Sequence, residues 1–143
     1  AAHGIPRGHD DLRHHQLSAR RFLGGGVTPW IFKARDDTIT VLDPMNSATL
    51  TLSAPAALVQ SACDGLGIAQ VGVHLAWEHL LAGALKIVLH GTHMPGAYEM
   101  VMQYPQRALV APRVRATLDH LQEVFKQDSK LQASSQSLSA YVA

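Results

Sequence analysis

Alternating strand-like and helix-like stretches between residues 49 and 89 constrain the fold of this 143-residue chain more than any other feature. They follow the order strand, helix, strand, helix, strand, at residues 49–52, 56–64, 68–71, 75–82 and 85–89. Strands that are separated by helices are joined by crossovers and therefore pair in parallel. The sequence thus predicts an α/β fold, a three-layer sandwich built on a mixed sheet.

Residues typical of helix ends mark the first predicted helix. Ser53 stands at the expected N-cap, and Pro55 is tolerated in the first turn. Gly65 can adopt the left-handed conformation that ends a helix. The helix is therefore expected between Ser53 and Gly65.

The flanking sequence predicts further elements. Before residue 49 we expect a helical turn capped by Asp10, a strand over residues 16–23, and a hairpin of strands 30–33 and 38–42. After residue 89 we expect a strand over residues 98–104.

The clearest predicted helix covers residues 112–125. Its apolar side chains recur every three or four residues and form one stripe, defined by Val114, Leu118, Leu121 and Phe125. Residues 126–143 are rich in serine and glutamine and have no sustained apolar period. This composition predicts a flexible tail.

Charge and cysteine content narrow the possible functions. Twelve Lys and Arg residues against eleven Asp and Glu give a net charge of +1, which leaves no basic excess to hold this stretch on nucleic acid. A single cysteine, Cys63, excludes an intrachain disulfide framework. No apolar run approaches the roughly 18 residues of a membrane span, and residues 1–15 lack a signal-peptide core. We therefore expect a cytoplasmic protein with no membrane partner.

The residues that could carry metal or catalytic chemistry do not converge in the sequence. His74 and His79 are five residues apart and would lie on different helix faces, and the pair His90 and His93 lacks a third ligand. No G-x-S-x-G motif is present, and Cys63 falls inside an Ala-rich predicted helix. We expect no catalytic residue, no metal and no cofactor, so the chain is not expected to be an enzyme.

Two places favour ligand binding. Ser53 follows a strand and precedes a predicted helix with no acid in its first turns, where a helix N-terminus can receive an anion. Capping of its own helix is the competing interpretation of Ser53. The glycines at 24–26 either permit a loop or let backbone amides approach a ligand.

An ordered set of short motifs resembles the effector-binding domain of LysR-type transcriptional regulators. The motifs, between residues 3 and 125, are His3-Gly4-Ile5-Pro6, Asp10-Asp11-Leu12, Trp30-Ile31-Phe32, Ala57-Leu58, Gly65-Leu66-Gly67-Ile68-Ala69, Leu81-Ala82-Gly83-Ala84-Leu85, Val88-Leu89, Tyr104-Pro105 and Pro112-Arg113-Val114-Arg115-Ala116. Each motif is weak alone, and their common order makes the resemblance specific.

The resemblance implies a two-lobed fold like that of the type II periplasmic binding proteins, with an effector in the cleft between the lobes. It assigns residues 1–98 to the second lobe, residues 99–125 to a crossover strand and a helix that belong to the first lobe, and residues 126–143 to the tail. Most of the first lobe and the N-terminal winged helix-turn-helix lie outside this sequence, so the two-lobed domain is incomplete here.

The resemblance also places eight residues of this lobe on the effector cleft: Gly25, Gly26, Val27, Thr28, Ser53, Ala54, Gly72 and Val73. Two positions depart from the family pattern. Gly72 stands where proline is common, and Ser53 stands where asparagine or aspartate is frequent nearby. These departures bear on which effector is bound.

The implied function is that of the effector-sensing domain of a bacterial transcriptional regulator, which binds a small anionic effector in the cleft between the lobes and thereby controls DNA binding and transcription by the full-length protein. Its implied partners are the effector, DNA through the winged helix-turn-helix of the full-length protein, and further copies in a dimer or tetramer. A periplasmic-type solute-binding lobe is the alternative. Because burying each stripe side chain is worth roughly 1.5–3 kcal/mol, we expect the 112–125 helix to pack on another chain. We expect this stretch alone to bind effector weakly.

Overall fold

Five strands and four α-helices build the part of the chain that the computed structural model describes, residues 4–96, 101–103 and 111–143. The strands are β1 (Leu17–Arg20), β2 (Trp30–Lys33), β3 (Ile39–Leu42), β4 (Ala48–Leu52) and β5 (Ile68–Ala69). The helices are α1 (Pro55–Cys63), α2 (Val73–Leu81), α3 (Pro112–Gln127) and α4 (Ser135–Leu138). Short 3-10 helices cover His9–His14, Pro44–Asn46 and Ser139–Tyr141.

β1 is the central strand of a three-stranded parallel sheet with the order β4-β1-β5. The predicted parallel pairing is therefore confirmed for these strands. A separate antiparallel pair is formed by β2 and β3, so the chain is a mixed α/β protein.

The two faces of the parallel sheet are covered by different parts of the chain. Leu17 and Ile68 are register partners and pack with Leu12, Trp30 and Phe32 in the hydrophobic core. Ser18, which is 1% exposed, projects to the opposite face because successive strand residues alternate. α1 packs across all three strands and covers that face with its buried Leu58 and Val59.

The predicted hairpin is confirmed as the β2–β3 pair, with Trp30 opposite Leu42. Its turn places Asp37 in the left-handed region, with φ 64°. The carboxylate of Asp36 accepts a hydrogen bond from the Thr38 amide at 3.2 Å, which is the geometry of an Asx turn. The two adjacent aspartates therefore stabilise the turn between β2 and β3.

The end of α1 follows the sequence prediction, whereas its start differs by one residue. Gly65 has φ 76°, and its amide donates to the carbonyl of Ala62 while the Leu66 amide donates to that of Ser61. These two hydrogen bonds form a Schellman motif. At the other end Ala54 is the N-cap, so Ser53 does not cap the helix.

The strand predicted over residues 85–89 is wrong. Ile87 makes only an isolated parallel bridge, to Val142, and Leu89 has a φ of 56°, which interrupts an extended backbone. The next residues instead join the hairpin edge, where the Lys33 amide donates to the Thr92 carbonyl at 2.7 Å. The strand predicted over residues 16–23 is also shorter, because the chain leaves the sheet after Arg20.

The helix predicted over residues 112–125 is confirmed as α3. None of its residues is buried, and Val114 of the apolar stripe is 39% exposed. The strand predicted over residues 98–104 lies largely outside the described residues. Residues 101–103 are described and have no regular secondary structure.

The flexible tail predicted over residues 126–143 needs correction. α3 extends into this segment, α4 and a 3-10 helix follow, and Val142 pairs with Ile87. Ser134 supplies the local signal as the N-cap of α4, since its hydroxyl accepts from the Ser137 amide. Across residues 4–96, 101–103 and 111–143, no helix has the length and apolar character to cross a bilayer.

Candidate functional site

The three parallel strands end at one edge of the sheet, and the segments that follow them meet there. Arg20 is the register partner of Leu52, and the next residue, Arg21, donates its amide to the Leu52 carbonyl at 2.9 Å. β4 continues into α1 through two residues, and β5 continues into α2 through three. Both helices therefore begin at this carboxyl edge.

The N-termini of α1 and α2 lack a side-chain cap. Their N-caps are Ala54 and Gly72, which provide no side-chain hydrogen bond to the first turn. The first turn of each helix also lacks an acidic residue. Unpaired backbone N–H groups and the helix dipole give such ends a partial positive charge. Two of them at one sheet edge favour a carboxylate or a similar group.

Arg20 adds a full positive charge to the same edge. Its side chain is half-buried, and its guanidinium carbon lies 4.5 Å from the centre of the Phe22 ring. The Nε atom is shielded from solvent and has no hydrogen-bond partner, and no carboxylate pairs with Arg20 within the described chain. A guanidinium that stacks on an aromatic ring keeps its N–H donors free for an anion.

Gln70 carries a second unsatisfied polar atom at the end of β5. Its Oε1 is shielded from solvent and accepts no hydrogen bond from the described residues. Buried amide oxygens are normally paired, so an unpaired one indicates a place where a donor is absent. The edge thus presents one enclosed donor, on Arg20, and one enclosed acceptor, on Gln70.

The glycine loop after β1 stands above this edge as a tight turn. Arg21 and Val27 form an antiparallel bridge, and the Phe22 amide donates to the Gly26 carbonyl at 2.8 Å. Gly25 has φ 85°, a conformation that strongly favours glycine. No atom lies within 4 Å of where a Cβ of Gly24, Gly25 or Gly26 would stand, so the loop surface is open.

Gly72 leaves room for a histidine at the start of α2. A Cβ at this position would lie 2.7 Å from Cε1 of His74, whose exposed ring covers the glycine. A side chain at this position would therefore displace the ring. Gly72 therefore allows the imidazole of His74 to lie at the N-terminus of α2.

The eight residues predicted for the site lie in the segments that follow the three parallel strands. Ser53, Ala54, Gly72 and Val73 lie where β4 and β5 lead into the helices, and Gly25 and Gly26 lie on the exposed turn after β1. Val27 and Thr28 are half-buried on the returning arm of that turn. All eight therefore belong to segments that leave the carboxyl edge.

Three residues of the edge were missed in the sequence. The period of two that places Arg20 and Phe22 on one face of the predicted strand is visible in the sequence, but the missing carboxylate partner of Arg20 is not. Gln70 directly follows the apolar pair of β5. No sequence pattern indicates that the side-chain oxygen of Gln70 lacks a hydrogen-bond donor.

His93 and Asp11, two groups with shifted pKa values, lie outside the segments that form the edge. Burial lowers the pKa of His93, which packs against Phe32 at 5.6 Å between ring centres. The backbone amide of Arg7 lowers the pKa of Asp11 by donating to its carboxylate at 2.8 Å. Within the described residues, no three His, Cys, Asp or Glu side chains converge as a metal site.

Comparisons with known proteins add no relative. Scans against protein-family models, curated proteins and solved structures each found no match to this chain.

Proposed function

We propose that this chain is the second lobe and C-terminal helix of an effector-sensing domain in a LysR-type bacterial regulator, and that it binds a small anionic effector at the carboxyl edge of the β4-β1-β5 sheet. The observation that carries the proposal is Arg20, a half-buried cation that no carboxylate of the described chain neutralises, beside two acid-free helix N-termini. The ordered motifs of the sequence support the choice of the LysR-type family.

Binding follows from the charges at the edge. The carboxylate of the effector accepts hydrogen bonds from the Arg20 guanidinium and from backbone amides at the start of α1 or α2. Phe22, which is 43% exposed, offers an apolar surface to the rest of the molecule. Gln70 Oε1 accepts a hydrogen bond from a hydroxyl or amine of the effector. This contact adds specificity, because an effector without such a donor would leave the enclosed Gln70 oxygen unpaired.

Signalling requires the first lobe. An effector that touches both lobes favours the arrangement in which it makes more contacts, and it shifts the equilibrium only by its difference in affinity between the two arrangements. In the full-length protein this change reaches the winged helix-turn-helix domains through a dimer or tetramer. The function needs no nucleophile and no cofactor, so we propose a binding protein and not an enzyme, acting in the cytoplasm.

Two alternatives are separable by simple observations. A periplasmic-type solute-binding lobe would share the sheet edge, and a secretory leader upstream of Ala1 would support it, whereas a winged helix-turn-helix there supports regulation. A small hydrolase would need a convergent nucleophile and base, and the candidate nucleophile is Cys63, which lies half-buried on α1. Loss of a measured activity in Cys63→Ala would favour that alternative.

The location of the site can be tested with benzoate and sulfate as probes. In an NMR titration of the 143-residue chain, we expect the largest amide shifts at residues 54, 56, 57 and 72–75, with millimolar dissociation constants because one wall of the cleft is missing. Chloride at equal ionic strength is the control for general charge screening. Shifts confined to other parts of the chain, or equal shifts with chloride, would refute the proposed site.

A further inference from the structure

Residues 128–143, here named the C-terminal strap, fold back from the end of α3 onto the lobe. They contact α2 and the segment 85–92, which together form one side of the lobe. Three kinds of contact hold the strap at points along its length. None of its residues is buried.

The first contacts are polar. Lys130 Nζ lies 2.8 Å from Glu78 Oε1 of α2, and this partner raises the pKa of Lys130. Further along, Nε2 of His90 lies 3.0 Å from the carbonyl oxygen of Ser135 and 3.3 Å from its hydroxyl. Because both pairs are exposed to solvent, each is readily broken.

The end of the strap is held by an aromatic pair and by backbone hydrogen bonds. The rings of Trp77 and Tyr141 meet edge-on, with their centres 6.0 Å apart. Ile87 donates its amide to the Tyr141 carbonyl at 2.9 Å and accepts from the Ala143 amide at 3.0 Å. The strap thus adds one isolated parallel bridge to the lobe, and this bridge pairs the backbone N–H and C=O of Ile87.

α3 itself contributes little to this attachment. No residue of α3 is buried, and the helix shares no extensive packing with another described element. Val142 and Ala143 of the strap also line an open groove of about 630 Å³, together with Ile5 and Arg7 near the start of the described chain. The strap therefore attaches the end of α3 to the lobe, next to residues 5–7.

We propose that the C-terminal strap is a releasable tether: it docks on the lobe and leaves it as one unit, while the β4-β1-β5 sheet stays folded. Resting on the proposed function, in which α3 belongs to the first lobe, the strap is a further connection between the lobes and limits how far they separate. Its weak, exposed contacts are suited to repeated release.

Amide hydrogen exchange on the full 143-residue chain tests the tether. The Ile87 amide reports strap docking, and the Ile68 amide, which donates to Gln16 at 2.9 Å, reports the sheet. Tyr141→Ala removes the ring from Trp77, so we expect roughly tenfold faster exchange at Ile87 and unchanged exchange at Ile68. Tyr141→Phe keeps the ring and is the matched control.

A charge exchange at the ion pair gives a second, independent test. Glu78→Lys and Lys130→Glu should each speed exchange at Ile87 about two- to fivefold, and the double variant should restore it. Equal acceleration at Ile68 in Tyr141→Ala would show that the segment unfolds with the lobe and would overturn the tether. If the Ile87 amide exchanged at the wild-type rate in all the variants, that result would also overturn the tether. Because no effector is present, these results are independent of the binding titration.

Discussion

Gly67 passes so close to the carbonyl of Gln16 that the backbone leaves no space for a side chain. A Cβ at Gly67 would lie 2.8 Å from the Gln16 carbonyl carbon, and the φ of 141° also disfavours other residues. The adjacent Ile68 amide donates to that same carbonyl, so the contact is where β5 joins β1. The glycine of the Gly65-Leu66-Gly67-Ile68-Ala69 motif therefore permits the sheet to form.

Gly67→Ala should lower the free energy of unfolding by about 2–4 kcal/mol, because backbone strain and a clash with backbone atoms add. Gly65→Ala is the matched control, since Gly65 also has positive φ but no atom within 4 Å of the added Cβ. That control should cost about 1–2 kcal/mol. Equal losses in urea unfolding of the two variants would contradict the close approach.

Substitutions of one buried and one exposed leucine should differ in their effect on stability. Leu17 is fully buried in the core with Trp30 and Phe32, whereas Leu23 is 99% exposed on the glycine turn. Leu17→Ala should cost about 2–5 kcal/mol of unfolding free energy, and Leu23→Ala less than about 0.5 kcal/mol. Thermal and urea denaturation measure both, and a large loss in Leu23→Ala would mean that the turn packs on the chain.

Stability should fall on acidification because of His93. Burial lowers its folded pKa below the ordinary value of 6.5, so the unfolded chain binds the proton more readily. The stabilising contribution is therefore present above pH 6.5 and is lost as the pH falls from there through the lower, folded pKa.

His93→Gln should flatten this part of the stability profile between pH 7.5 and 5. His120→Gln, which replaces an exposed histidine of α3, is the control and should leave the slope unchanged. An unchanged slope in His93→Gln would assign the acid sensitivity to other groups.

The stripe on α3 should mediate association between chains. Leu121→Ser should shift sedimentation velocity profiles toward the monomer, because the apolar contact is lost. Gln122→Ser changes a neighbouring exposed position and should not. A wild-type chain that remains monomeric at high concentration, with α3 folded, would contradict this expectation.

The sequence predicted those elements whose signals are local. The Trp30-Ile31-Phe32 strand, its Asp36-Asp37 turn and the glycine that ends α1 each carry their own conformational preference. Parallel pairing also followed, because helices separate the strands.

The missed features depend on distant partners. Ile87 forms a parallel bridge only with Val142. The strap is held by contacts with Trp77, Glu78 and His90, which lie some 40 to 65 residues away in the sequence. Composition alone made residues 126–143 appear flexible. The predicted site segments were placed at one edge, but Arg20 was recognisable only once its charge was seen to lack a carboxylate partner.

The most direct test of the anion site compares Arg20→Gln with Arg35→Gln. Arg35 is exposed near the hairpin turn, so both variants remove one positive charge and leave the net charge the same. For benzoate titrated into each 143-residue chain, we predict about tenfold weaker binding in Arg20→Gln and wild-type binding in Arg35→Gln, because a hydrogen-bonded charge pair is lost only in the first. Equal dissociation constants in the two variants would contradict an anion site at Arg20.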